Sequence, residues 1–289
     1  GLHQVQYFLQ MLSSLNGPVP ERAPRLYVTE AETQGAPRTL AGFGIDPAAV
    51  LIGVNPGSTY GGAKRWYPER FAAAVDAAVS ELGLPNAQVA IVGAPGEESL
   101  GQAIAGHVQT NVVVLSGRTT VRELMMVVQR CAAFVTNDTG PMHVASALGV
   151  PVISIFGPTD WRATAPFGPG HTLIRHQVDC SPCLLRECPI DHRCMTSVTV
   201  EDVAVPLVST LRATVGFLQG EGSMSGDVTG ISKPDLNGVT VFLDRDGTIN
   251  RDTGYVKAPQ ELELLPGAAT AIARLKQAGA RVVVVTNQS

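Results

Sequence analysis

The chain has 289 residues, 45% of them hydrophobic and 16% charged, which is enough for one large or two ordinary domains with a substantial core. A formal net charge of −4 provides no basic footprint and argues against binding to nucleic acid or to an anionic membrane. No stretch of the sequence approaches the roughly 18 consecutive apolar residues that a membrane-spanning helix needs.

Short apolar runs alternate with helical patterns from residue 50 onward. A strand is predicted at 50–54, and a helix follows from Pro68, since proline is tolerated in the first helical turn. A second helical pattern covers 121–132. The other strands predicted in this region lie at 88–92, 112–115, 133–136 and 150–156. This β-α-β-α order predicts an α/β fold with a parallel sheet covered by helices on both faces.

The composition changes at residues 216–237, where repeated glycines occur without an apolar period. This composition is typical of a flexible linker. Beyond it, a strand at 239–243, a helix at 266–278 and a strand at 281–285 form one β-α-β unit. We therefore predict that 238–289 begins a second domain. The first residue is not Met and the last follows a strand, so we expect an internal piece of a longer protein.

A candidate anion site follows the strand predicted at 133–136. Asp138, Thr139 and Gly140 form a strand-to-helix turn, which presents backbone N–H groups at the positive end of a helix. His143 lies one turn into that helix and can point back toward the same anion. The alternative is that Asp138 or Thr139 only caps the helix.

A second glycine-bearing loop follows the strand at 50–54 and carries Ser58, Thr59 and Lys64. Loops at the carboxyl ends of different strands in one parallel sheet can face the same crevice. The alternative for Lys64 is a solvated surface lysine. The sequence contains no G-x-x-x-x-G-K-[ST] loop, which argues against an ATPase.

Three motifs occur in the order Ala63-Lys64-Arg65-Trp66, Thr136-Asn137-Asp138-Thr139-Gly140-x-x-His143 and Phe156-Gly157-Pro158-Thr159-Asp160. In this order they resemble the ADP-heptose:lipopolysaccharide heptosyltransferases, in particular heptosyltransferase II, over residues 1–215. The resemblance implies the GT-B architecture of two Rossmann-like domains. Residues 30–215 would be the domain that binds the donor, and residues 1–29 the tail of the acceptor domain.

The resemblance also implies the roles of the residues in the first site. Lys64 would bind the donor diphosphate, and Ser58 and Thr59 would be further hydrogen-bond donors to the phosphates. Glu97 would contact the nucleotide or the sugar. The residues expected around the diphosphate and sugar are Asp138, Thr139, Gly140 and His143. The implied partners are ADP-heptose and a lipopolysaccharide inner-core acceptor, and the transfer needs no cofactor. The general base would come from the acceptor domain. We expect a cytoplasmic protein with at most peripheral contact at the inner face of the inner membrane.

Four of the five cysteines lie close together in the sequence, at Cys180, Cys183, Cys188 and Cys194. Their density suggests zinc or iron–sulfur ligation, but the spacing matches no known finger pattern. The alternatives are reduced, partly buried thiols or a reversible disulfide. Similar cysteine-rich loops occur in relatives of heptosyltransferase II, so the cluster supports the resemblance.

A second candidate site follows the strand at 239–243. Asp244 and Asp246 are two residues apart and are followed by Gly-Thr. Two carboxylates in this arrangement can form one site for a phosphate and Mg²⁺. The alternative is an acidic surface turn. Together with Thr286-Asn287-Gln288, this pattern resembles the haloacid dehalogenase (HAD) superfamily, in particular D-glycero-D-manno-heptose 1,7-bisphosphate 7-phosphatase. Histidinol phosphatase is the main rival.

By this resemblance Asp244 is the nucleophile, Asp246 the general acid/base, and Thr286 and Asn287 hold the phosphate of a heptose bisphosphate. Mg²⁺ would contact Asp244 and the backbone carbonyl of Asp246. Two further motif residues of the superfamily, a lysine and an acidic metal ligand, would lie beyond residue 289. We therefore expect residues 238–289 to be inactive alone.

Three hypotheses about function remain open. The first is a heptosyltransferase fused to a heptose-bisphosphate phosphatase, two enzymes of neighbouring pathway steps. The second is a fragment that binds ADP or an ADP-sugar without catalysis. The third is a GT-B transferase that uses another nucleotide sugar.

Overall fold

The computed structural model of this chain describes residues 2–13, 23–219, 236–245, 248–251 and 262–285. The chain divides into two compact units, Gly1–Gly222 and Ser223–Ser289. Among the described residues, no helix combines the length and the apolar character needed to cross a bilayer.

A six-stranded parallel sheet forms the centre of the first unit. Its strands are β1 (Val50–Asn55), β2 (Ala87–Ile91), β3 (Asn111–Val114), β4 (Ala133–Asn137), β5 (Val152–Ile155) and β6 (Thr172–Ile174). Their order across the sheet is β3-β2-β1-β4-β5-β6. The order reverses between β1 and β4, which pair directly with each other. In sheets of this kind the crevice at the reversal, outside the carboxyl ends of the strands, is where ligands bind.

Helices cover both faces of this sheet, as predicted for a parallel α/β fold. The described helices of this unit are α1 (Gln4–Ser13), α2 (Glu30–Gly42), α3 (Pro68–Leu82), α4 (Glu98–Ala105), α5 (Val121–Arg130), α6 (Gly140–Ala147), α7 (Trp161–Thr164), α8 (Arg193–Thr196) and α9 (Val200–Gln219). One face packs against α3 and α9, through side chains such as Phe71 and Leu207. The other packs against α2, α5 and α6, through Leu40, Val128 and Met142. With both faces covered, β1 and β2 are almost entirely buried, which explains their continuous apolar sequences.

The sequence predicted most strand positions to within two residues. β5 is shorter than predicted, because Pro151 has no N–H for the ladder and the strand begins at Val152. The short edge strand β6 and the helices α2, α4 and α9 were not predicted. Helix α9 also extends to Gln219, past residue 216 where the predicted linker begins. The rest of that linker, residues 220–235, lies outside the described residues.

The second unit contains two parallel strands, β7 (Thr240–Asp244) and β8 (Arg281–Val285), joined through helix α10 (Ala268–Gln277). This arrangement confirms the predicted β-α-β unit. Asp244 is the last residue of β7, so its carboxylate stands at the carboxyl end of a parallel strand pair.

Candidate functional site

A cavity of about 460 Å³ opens at the carboxyl ends of β1, β4 and β5, where the strand order reverses. We call it the switch-point cavity. All the donor-site residues predicted in the first unit line it, except Glu97. Its wall is formed by Gln4, Ser58, Thr59, Tyr60, Lys64, Asp138, Thr139, Gly140, His143, Thr159, Asp160, Ala163, Thr164 and Leu184.

Lys64 and Asp138 form an ion pair at the centre of this wall. The Lys64 Nζ lies 2.7 Å from Asp138 Oδ2 and 3.3 Å from the Asp138 carbonyl oxygen. The two side chains are only 13% and 6% exposed. Thr159 donates a second hydrogen bond of 2.7 Å to the same Oδ2. Lys64 is therefore held against the cavity and is not the solvated surface lysine of the alternative interpretation.

The turn after β4 leaves the first amides of α6 without a side-chain cap. Thr139 occupies the cap position, but its side chain makes no cap hydrogen bond and instead donates to Asn55 Oδ1, at 3.0 Å. The Asp138 carboxylate is engaged by Lys64 and Thr159. The interpretation of Asp138 or Thr139 as a simple helix cap is therefore wrong. The N-terminus of α6 faces the cavity, where backbone N–H groups favour an anion.

Two asparagines at the ends of the central strands fix the loops around the cavity. Asn137 accepts a hydrogen bond from the Trp66 amide, 3.2 Å, and donates one to the Pro56 carbonyl, 2.8 Å. Asn55 donates to the Val92 carbonyl at 3.1 Å. Both asparagines are buried. The loop after β1 and the turn after β4 are thus tied together by side chains at the strand ends.

His143 lies at the end of the first turn of α6 and lines the cavity. Desolvation by the surrounding protein lowers its pKa, and the nearby Lys64 and His3 act in the same direction, while Asp138 opposes them. His143 is consequently a neutral imidazole at neutral pH, which can donate one hydrogen bond and accept another.

Glu97 lies outside the cavity lining but beside the loop that carries Ser58 and Lys64. Its Oε2 accepts a hydrogen bond of 2.9 Å from the Ala94 amide, and its Oε1 lies 3.8 Å from Arg65 Nη2. Among the described residues, Oε1 has no hydrogen-bond partner, although the side chain is only 9% exposed. A Cβ at Gly57 would lie 2.0 Å from Oε2, so a larger residue there would displace the Glu97 carboxylate.

The segment 180–194, which we call the cysteine loop, packs against the loop after β1. All five cysteines are free thiols. Burial, together with the neighbouring cysteines, raises the pKa of Cys194 to about 11, and burial raises that of Cys131 to about 12. No three His, Cys, Asp or Glu side chains of the described residues are arranged so that they could hold one metal ion. The geometry gives no support to a metal at the cysteines, and that alternative stays a prediction.

The second predicted site can be described only in part. The Asp244 side chain is exposed at the end of β7. The other predicted residues of this site, Asp246, Thr286 and Asn287, lie outside the described residues.

The sequence interpretation missed several residues of the cavity wall. Thr159, Tyr60, Leu184 and Gln4 were not predicted as site residues. Thr159 follows the strand predicted at 150–156, so the rule that placed Asp138 at a strand end also applied to it. Leu184 and Gln4 are brought to the cavity by packing alone.

Comparison with known proteins finds a match to the model of glycosyltransferase family 9 (heptosyltransferase) over residues 1–193. Lipooligosaccharide heptosyltransferase 2 of Campylobacter jejuni is 32% identical over 159 residues, which are 53% of this chain and 49% of the relative. The solved structure of Escherichia coli ADP-heptose LPS heptosyltransferase II matches with a TM-score of 0.56 at 27% identity. This match covers 68% of this chain and 56% of the other.

A separate match concerns the last part of the chain. D-glycero-beta-D-manno-heptose-1,7-bisphosphate 7-phosphatase of Mesorhizobium japonicum is 59% identical over 49 residues, which are 17% of this chain and 23% of the relative. The chain therefore spans about half the length of the heptosyltransferase relative and about a quarter of the phosphatase.

Proposed function

Because this chain belongs to glycosyltransferase family 9, the heptosyltransferases, we propose that its first unit binds ADP-heptose for transfer of the heptosyl group to a lipopolysaccharide inner-core acceptor. The observation that carries the proposal is the partly buried Lys64 and the uncapped N-terminus of α6, both facing one cavity at the reversal of strand order. A cation and a helix N-terminus together form a site for a diphosphate.

The chemistry of the transfer explains why these groups are needed. The acceptor hydroxyl attacks the anomeric carbon of the heptose, the bond from that carbon to the diphosphate oxygen breaks, and a general base of the acceptor domain takes the hydroxyl proton. Negative charge then develops on the departing ADP, where Lys64 and the α6 amides stabilise it. Asp138, Thr139 and the neutral His143 line the same cavity and are placed to hydrogen-bond the sugar hydroxyls. This step requires no metal or other cofactor.

Glu97 is assigned to the nucleotide. Its buried Oε1 accepts no hydrogen bond from the described residues, which is costly unless a ligand provides a donor. Ribose hydroxyls are donors of the right kind, and the side chain lies beside Gly57 and Ser58, next to the cavity lining. Because the acceptor is a lipid-linked glycan, we place the reaction at the cytoplasmic face of the inner membrane, with peripheral contact only.

The proposal is tested by calorimetric titration of the chain with ADP and with UDP. We expect ADP to bind and the Lys64→Ala variant to bind it about 10- to 100-fold more weakly, because a charge-assisted hydrogen bond to phosphate is lost. Lys276→Ala, which removes a lysine charge in α10 of the second unit, is the matched control and should leave the affinity unchanged.

Absence of ADP binding by the folded protein would refute the donor site. Equal affinity for UDP would favour a GT-B transferase with another nucleotide sugar. Because the general base is expected from the acceptor domain, a protein that includes this domain and binds ADP-heptose without transfer to an inner-core glycan would favour the non-catalytic alternative.

For the second unit we propose the start of a phosphatase of the HAD type that acts on heptose 1,7-bisphosphate. The high identity over 49 residues and the position of Asp244 at the end of a parallel strand support this proposal. The exposed carboxylate of Asp244 is a hard oxygen ligand of the kind that Mg²⁺ prefers. With Mg²⁺ bound to Asp244 and to the carbonyl of Asp246, the ion would offset the charge of the phosphate. Asp244 would attack phosphorus as the bond to the sugar oxygen breaks, and that oxygen would take its proton from Asp246.

Calorimetric titration with Mg²⁺, followed by heptose 1,7-bisphosphate or histidinol phosphate, tests this second proposal. We expect Mg²⁺-dependent binding of the heptose bisphosphate in preference to histidinol phosphate, and loss of binding in Asp244→Asn because a metal ligand is removed. Asp191→Asn, which neutralises an exposed aspartate in the first unit, should behave as the wild type. Preference for histidinol phosphate would favour the rival phosphatase, and binding that survives Asp244→Asn would contradict the site.

A further inference from the structure

The backbone just before Lys64 is held by the cysteine loop. The Ala63 amide donates to the Arg186 carbonyl at 2.9 Å, and the Gly62 amide donates to Glu187 Oε1 at 2.9 Å. The Ala63 carbonyl lies 2.7 Å from His192 Nε2. Three backbone groups in the two residues before Lys64 are therefore bound by one distant segment of the chain.

Of the two side chains in this contact, His192 is less exposed to solvent than Glu187. A carbonyl oxygen only accepts hydrogen bonds, so Nε2 carries the hydrogen and Nδ1 accepts from the Tyr67 hydroxyl, at 3.1 Å. Burial raises the pKa of the Tyr67 hydroxyl, so that group remains a donor. His192 thus connects the residue before Lys64 to the first turn of α3, and Ala63 itself is buried.

The two glycines before Ala63 lie against the same contact, and Gly61 is explained by it. A Cβ at Gly61 would lie 2.2 Å from the Arg186 carbonyl oxygen, and one at Gly62 would lie 2.7 Å from Glu187 Oε2. Gly61 must therefore lack a side chain if the backbone of the cysteine loop is to approach this closely, whereas at Gly62 the exposed end of the Glu187 side chain would have to move aside. The fit between the two segments is specific and is not a loose surface contact.

The cysteine loop is itself anchored to the opposite side of the cavity. Ser181 Oγ donates to the Gly157 carbonyl at 2.6 Å, and the Leu184 amide donates to the Pro158 carbonyl at 2.8 Å. Tyr60, whose ring lies 4.9 Å from Lys64 Nζ, donates from its hydroxyl to the Leu184 carbonyl at 2.7 Å. The loop therefore bridges the segment after β5 and the segment that carries Lys64.

We propose that His192 and Glu187 are positioning residues, which fix the backbone of Lys64 so that its ammonium group meets the phosphates of a nucleoside diphosphate. This inference rests on the proposed function of the switch-point cavity. Neither side chain lines that cavity, so each acts through Lys64 and not on the ligand.

The test is a double-mutant cycle with ADP binding as the readout. His192→Phe keeps a ring but removes both hydrogen bonds, and we expect ADP to bind about fivefold more weakly, the equivalent of one lost hydrogen bond. In a Lys64→Ala background the same change should cause no further loss, because the residue that it positions is gone. His192→Gln, whose amide N–H can reach the Ala63 carbonyl, should restore most of the affinity.

Glu187 provides a second variant in case His192→Phe does not fold. Glu187→Ala should weaken ADP binding only when Lys64 is present, and Glu187→Gln should retain an oxygen for the Gly62 amide and bind nearly as the wild type. Ile190→Ala, at a position of the same loop that is 61% exposed, is the control and should have no effect.

The outcomes separate the two proposals. Equal losses in the presence and absence of Lys64 would mean a general structural role and would overturn the inference. Wild-type affinity in both His192→Phe and Glu187→Ala, with a clear loss in Lys64→Ala, would also overturn it while leaving the donor site intact. No effect of Lys64→Ala would refute the donor site itself.

Discussion

At the scale of single residues, the position of the Lys64 ammonium group is fixed by its hydrogen-bond partners. Lysine has a flexible four-carbon stem, and a free lysine would sample many positions. Here the carboxylate and the carbonyl of Asp138 both accept from the Lys64 ammonium group, which can donate three hydrogen bonds. Thr159 holds the carboxylate in turn. The ammonium therefore keeps capacity for a phosphate oxygen while its position is fixed.

The half-buried side chain of His171 makes the stability of the first unit depend on pH. Its Nδ1 accepts from the Val152 amide at 3.3 Å, and its Nε2 lies 2.9 Å from the Ser146 hydroxyl. This arrangement requires the neutral ring. Burial lowers the pKa of His171 below its ordinary value of 6.5, as it does for His143.

We therefore expect the free energy of unfolding to be highest above pH 6.5, and to fall as the pH drops through the lowered pKa of the folded state, since the unfolded chain then binds more protons. Denaturant unfolding between pH 7.5 and 5 measures this dependence. His171→Gln should show a smaller fall over this range, whereas His107→Gln, at an exposed histidine, should keep the wild-type slope. An identical slope in His171→Gln would contradict the assignment.

At the level of secondary structure, the N-terminal ends of the helices determine where backbone amides are left for an anion. Helices α2 and α5 each begin with a capping box, Thr29 with Glu32 and Thr120 with Glu123, which satisfies their first amides. Helix α6 begins without such a cap, at the cavity. A cap typically contributes about 1 kcal/mol by satisfying the first amides of a helix. At α6 these amides are left for an anion, next to the partly buried cation of Lys64.

At the level of the whole molecule, all the residues of the switch-point cavity belong to the unit Gly1–Gly222. Both tryptophans of the chain, Trp66 and Trp161, belong to it as well. Tryptophan fluorescence therefore reports the unfolding of the unit that carries the proposed donor site.

We expect saturating ADP to raise the midpoint of the tryptophan-detected thermal transition. At 100 times the dissociation constant, binding adds about 2.7 kcal/mol, which corresponds to about 5 to 10 °C for a unit of this size. The Lys64→Ala variant, scanned at the same ADP concentration, should show a smaller shift. An unchanged midpoint in the wild type would contradict a donor site in this unit.

Much of the fold and part of the site could be predicted from local sequence. Apolar runs of four to six residues and strand-to-helix turns are determined by near neighbours, so β1, β4 and the turn at Asp138 were predicted. The types of residue around an anion were also evident, because cations, glycines and helix starts have known chemistry. Edge strand β6 was missed, because three residues are too few to show a periodic apolar pattern.

The tertiary structure alone decided which of these residues meet. The ion pair of Lys64 with Asp138 joins residues 74 positions apart, and the hydrogen bond from Tyr60 to Leu184 joins residues 124 positions apart. Such contacts depend on the order of strands across the sheet and on how the loops pack, and neither is encoded within a local window. The sequence by itself determined the α/β elements and the chemical groups at their ends. Long-range packing decided the cavity, the partner of Lys64 and the place of the cysteine loop beside it.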